Sequence, residues 1–126
     1  MPTWTKSART MTRLFIYGTL KRGQVNHHLL ETATFLSEAH SAPHYRLLNL
    51  GWYPGLAKVE SNGMSISGEL WEVSPHRLIE LDAYEGDEYE RVSITLLDHA
   101  FDTATHVYLL KNPNWTQLDA GTTWHG

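Results

Sequence analysis

The chain has 126 residues, 41% of them apolar and 19% charged, a length that fits one core and a composition too apolar for a disordered chain. A formal net charge of −4 without clustered Lys or Arg offers phosphates no basic surface, which excludes nucleic acid as an expected partner. The absence of cysteine excludes disulfide frameworks, zinc-thiolate sites and thiol nucleophiles together, and it suits the cytoplasm.

Residues 1–12 read as an N-terminal extension. They carry Lys6 and Arg9 but no apolar stretch of signal-peptide length, and no later segment reaches the length of a membrane span. The first element is the apolar and aromatic run Leu14-Phe15-Ile16-Tyr17, a buried strand stopped by Gly18 that opens into the loop Gly18-Thr19-Leu20-Lys21-Arg22-Gly23. Asn26 is placed to cap a short helix over residues 27–31, and residues 32–38 read as extended. Residues 45–50 have strand character, Gly51-Trp52-Tyr53-Pro54-Gly55 is dense in turn residues, and Leu56-Ala57-Lys58-Val59 resumes the strand pattern.

After the turn Ser61-Asn62-Gly63, residues 66–73 alternate apolar with polar side chains, as a half-buried strand does, so residues 56–59 and 66–73 are expected to form a hairpin. Ser74-Pro75 is a helix start, with serine able to cap free N–H groups and proline suited to the first turn, and Gly86 is the matching stop. Residues 89–97 and 105–111 read as two further strands joined by a polar turn over 98–103. The tail, residues 113–126, holds Trp115 and Trp124 but has no period, and the chain has no internal repeat. The expected fold is therefore one α+β domain over residues 13–112, with about six strands and two helices and a sheet that could close into a barrel.

The helix carries the most chemistry. Projected at roughly 100° per residue, Leu78, Leu81 and Glu85 fall on one face, so leucines turned to the core bring Glu85 inward as well. Desolvation and the negative end of the helix dipole both disfavour the charge there, and the raised pKa that follows suits a general base at neutral pH. Two other readings of Glu85 stay open: solvation beyond the helix end, or a structural ion pair with Arg91.

Tyr17-Gly18-Thr19-Leu20 lies where a buried strand opens into a turn, so its successive N–H groups could converge on a carboxylate or an oxyanion, and an ordinary strand-ending turn is the other reading. The loop does not match the phosphate-loop pattern, which leaves nucleotide binding without support. Eight histidines form no ligand spacing, with His27 and His28 adjacent and the remainder scattered, so no metal site is expected.

Four segments occur in a specific order: Tyr17-Gly18-Thr19-Leu20-Lys21-Arg22-Gly23, Tyr53-Pro54-Gly55-Leu56, Gly68-Glu69-Leu70-Trp71, and Leu81-Asp82-Ala83-Tyr84-Glu85-Gly86 followed by Tyr89 and Arg91. In this order they resemble the γ-glutamylcyclotransferase family, particularly its branch of γ-glutamylamine cyclotransferases and AIG2-like proteins. The resemblance implies a small mixed β-barrel with flanking helices. It also implies a pocket in which Tyr17, Gly18, Thr19 and Leu20 bind substrate and Glu85 is the catalytic base. Tyr108, on the last strand, is a further candidate for the pocket wall or else a plain core tyrosine. The implied reaction is intramolecular: the α-amine of a small γ-glutamyl substrate attacks its own γ-carbonyl, giving 5-oxoproline and a free amine, with no metal or organic cofactor. The resemblance specifies neither the amine nor the oligomeric state. A non-catalytic protein of the same fold, binding a small amino-acid-like ligand or a partner protein, is the alternative.

Overall fold

The computed structural model describes residues 11–98, 105–115 and 119–125. Residues 1–10 of the extension, residues 99–103 of the expected turn and residues 116–118 and 126 of the tail lie outside the described residues. In chain order the elements are β1 (Thr12–Ile16), β2 (Thr34–His40), β3 (Tyr45–Asn49), β4 (Pro54–Lys58), β5 (Ser67–Val73), α1 (Pro75–Glu85), β6 (Tyr89–Ser93) and β7 (Thr105–Leu110).

Among the described residues there are thus seven strands and one α-helix, where about six strands and two helices were expected. The segment expected as the first helix is a single 3-10 turn, His27–Leu30. Asn26 does not cap it; its Nδ2 donates instead to Thr19 Oγ1 at 3.1 Å, tying the end of the first loop to its beginning. Four residues give too few intrahelical bonds to repay helix nucleation, so tertiary contacts set this segment.

Five strands form one mixed sheet in the order β2-β5-β1-β7-β6, with β1 and β7 parallel and the other pairs antiparallel. Strand β1 shows how period-two alternation builds two cores: Leu14 and Ile16 enter one buried cluster, Phe15 and Tyr17 the other. Helix α1 adds Leu81 to the first, and the β3-β4 pair adds Leu47 and Leu56 to the second. Full burial of side chains such as Phe15 and Leu47 stabilises the fold by roughly 1.5–3 kcal/mol each.

The hairpin expected between β4 and β5 does not form. Strand β4 pairs with β3, and β5 leaves for the other sheet, where it lies between β1 and β2. Its run Gly68-Glu69-Leu70-Trp71 is buried on both faces, so this is a central strand rather than the half-solvated arm of a hairpin. The expected barrel closure is not made by the described strands. Among the described residues the edges of the sheet meet at the end of β2, through the bridge Ser41–Leu96 with bonds from Leu97 N–H to His40 C=O and from Ala42 N–H to Thr95 C=O, both 2.9 Å. Closing a barrel takes a continuous ladder between edge strands.

The tail lacks a period yet packs. Ala120 N–H donates to Leu47 C=O and Ser67 N–H to Thr122 C=O, both at 2.7 Å, and Trp124 is buried in the second cluster, while Trp115 is exposed.

Candidate functional site

Helix α1 delivers its last residue to a cavity. Ser74 begins the helix, its Oγ accepting from Arg77 N–H at 3.2 Å. Gly86 ends it at φ 67°, a left-handed value that costs glycine little, and donates its N–H back to Asp82 C=O. Leu81 is buried and Leu78 packs beside it, so the face that carries them leads to Glu85, half-buried in the cavity wall.

The cavity has a volume of about 230 Å³. Tyr17, Gly18, Thr19 and Leu20 line it from the loop after β1, Glu85 from the end of α1, and Tyr108 from β7. The structure thus gathers all six sequence-predicted site residues in one cavity. Residues outside the predicted set also line it: Tyr53 and Pro54 from the turn into β4, and Tyr84, Glu88 and Tyr89 around the helix end.

Burial, then the negative charges of Glu88 and Asp82, push the Glu85 carboxyl up to about 7. Among the described residues no hydrogen bond or ion pair reaches that carboxyl to oppose them. Arg91, the ion-pair partner weighed from sequence, goes to Asp82 instead, with Nε–Oδ1 at 2.9 Å and Nη2–Oδ2 at 3.3 Å. Asp82 therefore sits below the usual carboxylate range: burial pushes it up, but hydrogen bonds from Arg91 and Tyr108 outweigh that.

The loop is held from several sides. Tyr17 spends its hydroxyl on the scaffold, donating to Tyr108 C=O at 2.8 Å and accepting from Leu56 N–H at 3.2 Å, so the phenol joins β1 to β7 and β4. Burial, with Glu85 nearby, drives its pKa well up, and it stays a neutral phenol. Gly18 permits close packing: a Cβ there would stand 2.7 Å from Pro54 Cγ. Lys21 N–H closes the turn onto Gly18 C=O at 3.1 Å, and Asn26 N–H reaches Thr19 C=O at 2.9 Å. None of these turn bonds uses the N–H of Gly18, Thr19 or Leu20.

Behind the loop, Glu69 of β5 is buried and accepts from Arg22 N–H at 3.1 Å, Arg22 Nε at 3.0 Å and Trp71 Nε1 at 3.1 Å. The Arg22 guanidinium lies 3.7 Å over the Phe35 ring. Glu69 and Asp82 are the organising acids that sequence reasoning did not single out. Their available signals were a carboxylate within the apolar run Gly68-Glu69-Leu70-Trp71 and an acid three residues before Glu85 on the same helix.

Among the described residues no group of three or more His, Cys, Asp or Glu side chains could hold a metal ion, and no helix is long and apolar enough to cross a membrane.

The α+β fold sets a carboxylate of raised pKa against a Gly-containing loop in one cavity, and comparison with known proteins supplies the family. The family model described as "Gamma-glutamyl cyclotransferase, AIG2-like" matches residues 14–126. The chain is 35% identical over 118 residues to the Gamma-glutamylcyclotransferase family protein ytfP of Citrobacter rodentium, an alignment covering 85% of this chain and 97% of that one. It is 34% identical over 97 residues to the Gamma-glutamylaminecyclotransferase of Bos taurus, covering 70% of this chain and 58% of that one. An AIG2-like protein of Mus musculus has a crystal structure similar to this one, with TM-score 0.71 and 25% identity over 82% of this chain and 80% of that one. The chain belongs to the γ-glutamylcyclotransferase family, in its AIG2-like form.

Proposed function

We propose that this chain is a cytoplasmic enzyme that cyclises the γ-glutamyl group of a small γ-glutamyl amine or amino acid to 5-oxoproline and releases the free amine. Glu85 is its general acid and base, and the chemistry needs no cofactor. The observation that carries this reading is the Glu85 carboxyl, without a hydrogen-bond partner among the described residues and pushed up to about 7 by burial and by Glu88 and Asp82, in the same cavity wall as the loop Tyr17-Gly18-Thr19-Leu20.

The chemistry follows from that pairing. The substrate's α-ammonium loses one proton to Glu85, and the freed amine attacks the γ-carbonyl carbon to close a five-membered ring. The carbonyl electrons move to oxygen, and loop N–H groups near the cavity stabilise that charge. The oxyanion then collapses and the bond to the leaving nitrogen breaks as Glu85 returns its proton to that nitrogen. The ring nitrogen, still carrying two protons, gives one to Glu85, which passes it to the released amine, so the products are the neutral lactam and an ammonium. Because nucleophile and electrophile belong to one molecule, holding the chain folded contributes much of the rate, up to roughly 7–11 kcal/mol in ideal cases. A carboxyl pushed up to about 7 suits both proton transfers, since its pKa then lies near the working pH.

The test is 5-oxoproline release from a panel of γ-glutamyl amines and amino acids by the wild-type protein and by Glu85→Gln. Turnover by the wild type, lost in the variant with binding retained, is the expected result. Tight binding of γ-glutamyl compounds without turnover by either protein would replace the enzyme reading with that of a ligand-binding protein of the same fold.

A further inference from the structure

Tyr108 is the one cavity-lining tyrosine whose hydroxyl proton is committed to a carboxylate on α1. Its Oη donates to Asp82 Oδ1 at 2.6 Å, the length of a charge-assisted O–H···O⁻ bond. Asp82 is held in turn by the two Arg91 contacts, and Arg91 Nη1 lies 2.6 Å from His106 Nδ1. Arginine only donates, so Nδ1 of His106 is the acceptor and its ring proton sits on Nε2. The neutral imidazole this requires fits His106, whose pKa is lowered by burial and by the Arg91 charge. Along this chain of contacts Arg91 donates to both His106 and Asp82, and Asp82 accepts from both Arg91 and Tyr108, so every donor and acceptor is assigned.

A phenol has one proton to donate and lone pairs to accept with. With the Tyr108 O–H directed at Asp82 Oδ1, its oxygen has only acceptor capacity left for anything in the cavity. The alternative orientation, with Tyr108 donating to Glu85, would stabilise the Glu85 carboxylate and lower its basicity. Asp82, kept ionised by Arg91, accepts that O–H instead.

We propose that Asp82 is a positioning residue that turns Tyr108 into a hydrogen-bond acceptor for the α-ammonium of the ligand, beside the carboxyl of Glu85. This rests on the γ-glutamyl reading of the site. An ammonium has three protons; Glu85 removes one, and the Tyr108 oxygen holds a second N–H, which leaves the nitrogen lone pair free to face the γ-carbonyl. Tyr108 is thus an amine-recognition residue rather than an oxyanion donor.

The experiment uses an inert ligand pair differing only in the amine: S-butyl-L-homocysteine sulfoxide and its counterpart lacking the α-amine, 4-(butylsulfinyl)butanoate. Neither can cyclise, so binding is read without turnover. Calorimetry on wild type, Tyr108→Phe and Asp82→Asn is expected to show the amine ligand bound more tightly by wild type. In Tyr108→Phe its affinity falls about tenfold, as for one lost hydrogen bond to a charged group. The deaminated ligand is expected to bind both proteins equally, and Asp82→Asn to lose part of the same selectivity. Equal weakening of both ligands by Tyr108→Phe would mean a structural tyrosine and overturn the proposal, as would full selectivity in Asp82→Asn or a wild type that ignores the amine. Wild-type 5-oxoproline release, assayed separately, tests the enzyme reading: amine selectivity without release would leave this inference standing and overturn that one.

Discussion

Two glutamates, one on β5 and one at the end of α1, meet opposite fates. Glu69 is buried and accepts three hydrogen bonds, two of them from Arg22, so its charge is spent on holding the loop after β1. Glu85, half-buried, has no such partner among the described residues and faces the like charges of Glu88 and Asp82, which help lift it to about 7. Burial alone therefore does not make a carboxylate reactive: it becomes structural where donors saturate its lone pairs and basic where they are withheld. Asp82, one turn before Glu85, makes the same point, since Arg91 and Tyr108 overcome its burial and keep it acidic.

The largest effect expected to sharpen that contrast is on Glu85. Glu85→Gln keeps the side-chain size and removes the base, and 5-oxoproline formation should fall by about 10²–10⁴-fold with binding retained. A variant that kept most of the activity would remove Glu85 from the chemistry. Glu69→Ala should act on folding instead. It leaves Arg22 N–H and Trp71 Nε1–H without an acceptor, and stability should drop by about 2–3 kcal/mol, read from the urea midpoint. The half-exposed Arg22 guanidinium can still reach water, which keeps the loss below that of a fully buried pair.

The pH responses should differ as well. Activity from Glu85 as base should rise as pH increases through about 7 and then level off, measured as kcat/KM on the best substrate of the panel. Stability should move the other way. Between the ordinary glutamate value, 4.5, and about 7 the folded state holds a proton that the unfolded chain has lost, so stability falls as pH rises across that window. Glu85→Gln escapes this loss and should be more stable than wild type at pH 8 by about 1–2 kcal/mol, allowing for the solvent that reaches a half-buried group. Equal wild-type and variant stability at pH 8 would mean that burial costs Glu85 nothing. The smallest effect belongs to the far end of the helix: Ser74→Ala removes the cap on Arg77 N–H and should cost about 1 kcal/mol by thermal unfolding.

Local chemistry was the legible part of the sequence. Ser74-Pro75 and Gly86 bounded α1 because capping and left-handed backbone are properties of single residues, and the leucine spacing aimed Glu85 before any partner was known. The motif loop was legible for the same reason, being contiguous. What failed was pairing. Residues 56–59 and 66–73 read as a hairpin because they are neighbours in the chain, yet β5 belongs between β1 and β2, where burial on both faces stabilises it more. The short helix over residues 27–31 failed in the same way, its Asn26 serving the loop rather than the helix.

By itself, then, the sequence determined where the helix begins and ends, which glutamate its apolar face carries inward, and the order of the motifs that mark the family, because each depends on residues close along the chain. Only the tertiary structure decided that Arg91 serves Asp82 and not Glu85, that Glu69 clamps the loop, and that Tyr108 directs its O–H at Asp82. Those choices are competitions between partners from different strands, settled by which donor reaches which oxygen once the sheet has formed.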